Sequence, residues 1–360
     1  MAVRVGIIGF ANIRYMPYLR YYTEVLDKNA IEYELIYWDR RGLSEKIHCR
    51  THVMRMRLDD ATPKARKIIP MLRFGQFAKK VIQQREYDFL IFLAPIPAVI
   101  LCRFLSARYV NRYVVDIRDY SLEHNPVYFA ALRKVLGNAA LRVISSPAFT
   151  QFLPVANYVL CHNISVPNGE RKSIPRAKTA NKPIQVSYIG AIAYFEEVKK
   201  FILAIANDAR FSFALYGSGM DEGRLEDFCR TAQIKNVHFY GAYDPAGLSH
   251  IYTVTDIVFN AYGNDTPNVR CLLSNKLYNA AWHQLPIIVT PQTAMAAAAG
   301  YMGFQVDYAN VGVADALHKW YNELDWDKVH DVATDLLNAA MADNNTFGQK
   351  LVKALGAGGG

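Results

Sequence analysis

Ser274-Asn275-Lys276-Leu277-Tyr278-Asn279-Ala280-Ala281-Trp282, running on through His283-Gln284-Leu285-Pro286 into Ile287-Ile288-Val289-Thr290, is the stretch that decides the fold. It reads as a short helix opened by a polar cap, a turn carrying proline, and a buried parallel strand. The first turn of such a helix offers unpaired backbone N–H groups and a partial positive charge, which suits a diphosphate. Lys276 adds a mobile cation there, and Asn279 follows three residues later on the same face.

Outward from this unit the same alternation recurs along the chain. Candidate strands in the first half are Arg4–Gly9, Tyr33–Trp38, Thr51–Met56, Tyr87–Phe92, Arg112–Ile117, Leu141–Ser145 and Asn157–Cys161, with amphipathic stretches such as Tyr15–Leu26 and Pro63–Gln84 between them. A polar segment with three prolines, 166–183, breaks the pattern and reads as a linker. The alternation then restarts with strands at Ile184–Tyr188, Phe211–Tyr216, Val237–Tyr240, Asp256–Asn260 and Pro286–Thr290. Strand–helix alternation implies parallel sheets covered on both faces. The expected organisation is a domain over 1–165, the linker, a second domain over 184–340, and a tail over 341–360.

With 360 residues the chain suits two cores rather than one. Its five cysteines are scattered and form no C-x-x-C pair, which argues for a reducing compartment and against a disulfide framework or zinc knuckle. Met1–Gly9 reads as a strand rather than a signal peptide. The most apolar run, Phe89–Cys102, is broken by Pro95 and Pro97 and is too short to span a bilayer. Charge is uneven: residues 1–175 hold 26 Lys and Arg against 14 Asp and Glu, a net +12, and the remainder 15 against 18, a net −3. The first half is therefore the one to meet a polyanion or an anionic membrane.

Several segments carry candidate chemistry. Val5-Gly6-Ile7-Ile8-Gly9 starts like a dinucleotide fingerprint, but Ala11 and Arg14 break the G-x-G-x-x-G spacing and leave Gly9 as a tight-turn residue. Asp116-Ile117-Arg118-Asp119 ends a strand, where open parallel sheets gather functional groups. Asp119 is suited to accept a proton and His124 to touch a substrate, the competing reading being a capped helix with Arg118 in an ion pair. Gly190, Gly217 and Gly219 follow strands in the second half, as phosphate loops or as plain tight turns. Tyr240 and Tyr243 offer rings to a nucleobase or to the core. His48 and His52 have metal spacing only on a helix, and their surroundings read as loop and strand. Lys64 to Arg85 mixes cations with large apolar groups, which suits an anionic bilayer or a helix with a solvated basic face. No nucleic-acid module is recognisable.

The Lys276-Leu277-Tyr278 helix before Pro286, the D-x-R-D segment and Val237-His238-Phe239-Tyr240-Gly241 together resemble the family 4 GT-B glycosyltransferases, whose donor helix is often written P-S-K-L-Y-E-x-x-A-x-G-x-P-V-I. The resemblance implies an α/β GT-B fold, two Rossmann-like doubly wound parallel-sheet domains facing a cleft. Donor-side residues implied are Gly190, Gly217, Gly219, Tyr240, Tyr243, Arg270, Ser274, Lys276 and Asn279; acceptor-side residues are Gly9, Asn12 and Arg14, with Asp119 and His124 catalytic. This chain departs from the pattern where the family has two donor glutamates, which are Cys271 and Asn279 here. It also lacks the family's cations after the first donor glycine, in Ala191-Ile192-Ala193-Tyr194-Phe195.

From that resemblance the expected activity is retaining, metal-independent transfer of a sugar from a UDP- or GDP-linked donor to a polyprenyl-linked or surface-polysaccharide acceptor. No cofactor is implied beyond the donor substrate. The location implied is cytoplasmic, or peripheral on the inner face of the cell membrane. Cys271 and Asn279 motivate a second expectation: a weak or inactive GT-B protein that binds nucleotide sugar or a partner in a polysaccharide assembly complex. An epimerase of the same fold would need more carboxylates in the second half.

Overall fold

Long runs of Val, Ile, Leu and Phe, too apolar for one-sided exposure, form the central strands of two sheets. The computed structural model describes residues 3–43, 45–59, 62–165, 182–310 and 312–357; most of the linker expected at 166–183 lies outside the described residues. The chain divides into two units, Met1–Asn163 with Ala342–Gly360, and Ile164–Met341.

The first unit holds seven strands: β1 (Arg4–Gly9), β2 (Glu32–Asp39), β3 (Arg50–Arg55), β4 (Phe89–Phe92), β5 (Tyr113–Ile117), β6 (Leu141–Ile144) and β7 (Val159–Leu160). Their order is β3-β2-β1-β4-β5-β6-β7, and every pairing is parallel. Helices α1 (Leu19–Lys28), α2 (Lys64–Arg85), α3 (Pro95–Ile100), α4 (Cys102–Arg108) and α5 (Pro126–Gly137) connect them. Alternate strand residues point to opposite faces, so Val5, Ile7, Leu35, Phe89 and Ile91 pack against Leu19, Tyr22 and Leu26 of α1. On the other face Phe74 of α2 stacks on Trp38 at 5.9 Å, and Phe10 meets both rings edge-on. Asn125 caps α5 by accepting from the N–H groups of Val127 and Tyr128, with Pro126 at the first helical position.

The second unit comprises β8 (Ile184–Ile189), α6 (Phe195–Ala204), β9 (Phe211–Tyr216), α7 (Glu222–Thr231), β10 (Val237–Gly241), α8 (Leu248–Thr253) and β11 (Ile257–Asn260). There follow α9 (Pro267–Cys271), α10 (Asn275–Trp282), β12 (Ile287–Val289), α11 (Ala294–Ala299), β13 (Gly303–Gln305), α12 (Val313–Asn322) and α13 (Trp326–Ala357). The strand order β10-β9-β8-β11-β12-β13 is again all parallel. Both sheets thus reverse direction beside their first strand, between β1 and β4 and between β8 and β11. That reversal is the topological switch point where open α/β sheets bind ligands.

The long α13 is shared. Val329, Ala333, Leu337 and Ala340 belong to the second unit's core, while Phe347, Leu351 and Leu355 complete the first. Phe347 packs edge-on to Tyr22 at 5.1 Å, and Asn344 Oδ1 accepts the His162 N–H at 2.6 Å. His162 Nε2 pairs with Asp343 at 3.0 Å. Burial pushes the His162 pKa below its ordinary value, and Asp343 partly opposes that. No helix among the described residues is long and apolar enough to cross a membrane.

Candidate functional site

Ser274 opens α10 with extended backbone and a side chain that accepts the Lys276 N–H at 3.2 Å, as an N-cap should. Leu277, Tyr278, Ala280 and Ala281 bury the helix against the sheet, so its first turn is fixed beside the β8–β11 switch point. From there the Lys276 side chain runs back over the end of β8. Its ammonium lies 5.0 Å from the Tyr188 ring centre and 5.4 Å from that of Tyr262. No described carboxylate pairs with it. Burial lowers its pKa, and Tyr188 works weakly in the other direction.

The glycines expected at the donor side make room for this arrangement. Gly190 has φ +125°, and a β-carbon there would stand 3.2 Å from the Lys276 ammonium. Gly217 has φ +129°, and its β-carbon would sit 2.0 Å from the Gly190 carbonyl oxygen; one on Gly219 would sit as close to that of Ile192. The loops after β8 and β9 therefore run in backbone contact, which only glycine allows. Their N–H groups are not turned outward as the sequence suggests. Gly190 donates to the Tyr216 carbonyl at 2.8 Å and Gly217 to that of Gly241 at 2.7 Å.

Three tyrosines that sequence reasoning passed over pack together beside this lysine. Tyr194 stacks on Tyr262 at 4.5 Å, and the Tyr262 hydroxyl lies within hydrogen-bonding reach of the Tyr188 and Ser274 hydroxyls. Tyr188 donates its hydroxyl to the Ala191 carbonyl at 2.8 Å, which sets the course of the glycine loop. Their sequence signal is slight: Tyr188 stands two before Gly190 near the end of β8, Tyr194 four after it, and Tyr262 directly before Gly263 just past β11.

Other donor-side residues lie further out. Tyr240 is the extra residue of a β-bulge, where the register with β9 slips between Phe239 and Gly241. The bulge pushes its ring outward, 59% exposed, and flat against Tyr216 at 4.6 Å. Tyr243 is half-buried and Arg270 exposed at the end of α9. Asn279 is buried and faces the Tyr252 hydroxyl, short of good hydrogen-bond geometry. Cys271 is also buried, and burial raises its thiol pKa.

In the first unit the strand ends converge on Tyr18. Its phenol donates to the Leu93 carbonyl at 3.1 Å after β4. Burial raises its pKa, and the charges of Asp116, Arg118, Asp119 and Arg40 all act on it. Asp119, just after β5, and Arg40, just after β2, are thus near enough for their charges to act on one hydroxyl. Arg118 pairs with Asp116 at 2.7 Å and donates to the Cys161 carbonyl at 2.6 Å, so the ion-pair reading holds for Arg118. Asp116 also accepts from Tyr22 at 2.8 Å. Asp119 and His124 are exposed beyond this buried pair; His124 lies on the Tyr120 ring at 6.1 Å, and Tyr120 meets Phe152 edge-on.

Asn12 is buried and committed to partners of its own region. Its Nδ2 donates to Asp39 at 2.7 Å and Glu45 at 3.0 Å, and its Oδ1 accepts the Arg40 N–H at 3.0 Å. Gly9 leaves space for Met16, whose methyl would be 2.6 Å from a β-carbon. Arg14 is exposed with its guanidinium 5.6 Å from the Tyr15 ring. His48 and His52 are engaged elsewhere, with Tyr33 and Asp27 and with Glu34.

No protein-family model matches the chain, and no curated protein matches it in sequence. Solved structures do resemble it. Sucrose-phosphate synthase from Thermosynechococcus elongatus is 14% identical, covers 98% of this chain and 100% of its own, and superposes with TM-score 0.71. Anabaena HepE in complex with UDP is 14% identical over 99% of this chain and 100% of its own, at TM-score 0.68. The lipopolysaccharide outer core galactosyltransferase WaaB is 12% identical over 98% and 99%, at TM-score 0.62. With two all-parallel doubly wound units and full-length superposition on glycosyltransferases, the chain has the GT-B fold.

Proposed function

We propose that this protein is a glycosyltransferase that moves a sugar from a UDP- or GDP-linked donor to a lipid-linked or surface-glycan acceptor. One observation carries the reading: the Lys276 ammonium, with no described counter-charge, held beside two tyrosine rings and over Gly190 at a switch point. A half-buried cation with no counter-charge gains when an anion joins it. A donor diphosphate supplies that anion. Anabaena HepE, which shares the fold, is seen with UDP and with UDP-glucose, which supports a uridine nucleotide.

In this scheme negative charge grows on the leaving diphosphate, and Lys276 with the first turn of α10 offsets it without a metal ion. The Tyr216–Tyr240 stack offers an open ring face to the base, with Tyr243 and Arg270 as further donor-side candidates. Asp119 takes the acceptor proton, His124 touches the transferred sugar, and Asn12 positions the loops that carry Arg14. Configuration at the sugar is retained. Calorimetric titration with UDP and GDP, followed by assay of nucleotide released from the cognate donor sugar in the presence of acceptor extract, tests the whole. Absence of any nucleotide binding rejects it.

A weaker catalyst is the second reading, favoured by one observation. Both positions where the family has donor glutamates are buried, Cys271 as a thiol and Asn279 turned towards Tyr252. Nucleotide binding without turnover supports that reading. We also propose membrane contact through α2, which carries seven basic residues and no acidic one and exposes Ile68, Ile69 and Leu72.

A further inference from the structure

Residues 118–125 link β5 to α5 and carry both Asp119 and His124. The two ends of this loop are fixed, Arg118 by Asp116 and the Cys161 carbonyl, and Asn125 by its cap on α5. Between them the backbone folds onto one carboxylate. Glu123 is 7% exposed, and its Oε2 accepts the Ser121 N–H at 2.5 Å. The Leu122 carbonyl accepts the Asn125 N–H at 2.8 Å, closing a turn with Glu123 at its second position. Tyr120, just before Ser121, sets its ring against Phe152 at 5.2 Å and against His124 at 6.1 Å. We infer that Glu123 is a positioning residue of the acceptor side, whose charged carboxylate holds this loop in the shape that presents Asp119 and His124. The inference rests on the glycosyltransferase reading and extends it to what orients the groups assigned there.

The chemistry of the position argues for function over stability. Burial raises the Glu123 pKa, and the N–H groups of Ser121, Glu123 and Leu122, with the charge of His124, work against that. Its Oε1 has no hydrogen-bond partner among the described residues. Neither has the Tyr128 hydroxyl, which is buried in the first turn of α5 and feels the charge of Glu123. A glutamine would fit the same space, still accept the Ser121 N–H and leave no charge to desolvate. Stability alone therefore favours the amide. A carboxylate draws backbone N–H groups more strongly than an amide oxygen does, and that stronger pull keeps the loop in one shape.

The test compares Glu123→Gln with the wild-type protein by thermal melting, by UDP titration and by the ring resonance of His124 in protein carrying isotope-labelled histidine. The His124 signal is assigned by its loss in His124→Gln. Nucleotide release from UDP-glucose, UDP-galactose and GDP-mannose in the presence of acceptor extract reads activity. We expect Glu123→Gln to melt at or above the wild-type temperature and to bind UDP within twofold. Its His124 resonance should shift, and nucleotide release should slow at least tenfold, because misplaced groups lose their productive geometry. An unshifted resonance with full activity overturns the inference. So does a joint fall in melting temperature and UDP affinity, which marks a plain structural residue. Should UDP fail to bind, the glycosyltransferase reading falls, yet the His124 resonance still decides the loop: a shift keeps the positioning role of Glu123, and its absence removes it.

Discussion

The Lys276 ammonium and Gly190 are closely fitted: a β-carbon on Gly190 would stand 3.2 Å from the nitrogen, near enough that the ammonium would have to shift. A side chain at Gly190 is disfavoured twice, by this contact and by φ +125°. Gly190→Ala should therefore displace the ammonium, weaken UDP affinity about tenfold and lower stability by about 1–2 kcal/mol. Unchanged UDP affinity in calorimetry would separate the glycine from the binding site.

Lys276 should show opposed effects on stability and binding. Burial lowers its pKa below 10.5 in the folded protein, whereas the unfolded chain keeps the ordinary value. Between the two values the unfolded state binds more protons, so stability of the nucleotide-free protein rises with pH across that window. Nucleotide affinity falls across the same window, because only the ammonium attracts a diphosphate. Lys276→Met should abolish both slopes, raise the melting temperature of the free protein and weaken UDP binding tenfold or more. Parallel thermal scans and titrations at several alkaline pH values measure this.

Asp119→Asn removes the proton acceptor without changing shape. We expect kcat to drop 100-fold or more while UDP affinity stays within twofold, since general base catalysis contributes on that order. Equal losses in kcat and UDP binding would make the residue a structural support for Tyr18 and Arg118.

Ile69→Ser/Leu72→Ser on α2 should reduce sedimentation with vesicles of phosphatidylglycerol, and pure phosphatidylcholine vesicles should bind neither protein. Both side chains are largely exposed, 62% and 47%, so their loss should leave thermal stability within about 0.5 kcal/mol. Retained sedimentation would assign α2's apolar side to another role.

Much of the fold is legible because buried parallel strands are nearly continuous apolar runs. Arg4–Gly9 coincides with its expected strand, and Ser274 caps α10 where the polar residue before Lys276 indicates. Gly303–Gln305 of β13 escapes notice because three residues give no period to read. The C-terminal helix escapes for another reason: it changes its buried face along its length as it passes from one core to another. At the candidate site the lysine is visible in sequence, while its tyrosine neighbours are not. Tyr188, Tyr194 and Tyr262 are separated by up to 74 positions and meet only through strand order. Likewise a D-x-R-D string cannot tell which aspartate takes the arginine; burial at the strand's end gives it to Asp116.

Because Phe347, Leu351 and Leu355 fill the first unit's interior, that unit is discontinuous in sequence. During synthesis the ribosome must deliver all of 164–341 before those three side chains exist to be buried. Until then Tyr22 and its neighbours lack their final covering, each missing side chain withholding about 1.5–3 kcal/mol. Translation order therefore makes the second unit the earlier to reach its complete core, and the amino-terminal half the one that waits for its last piece.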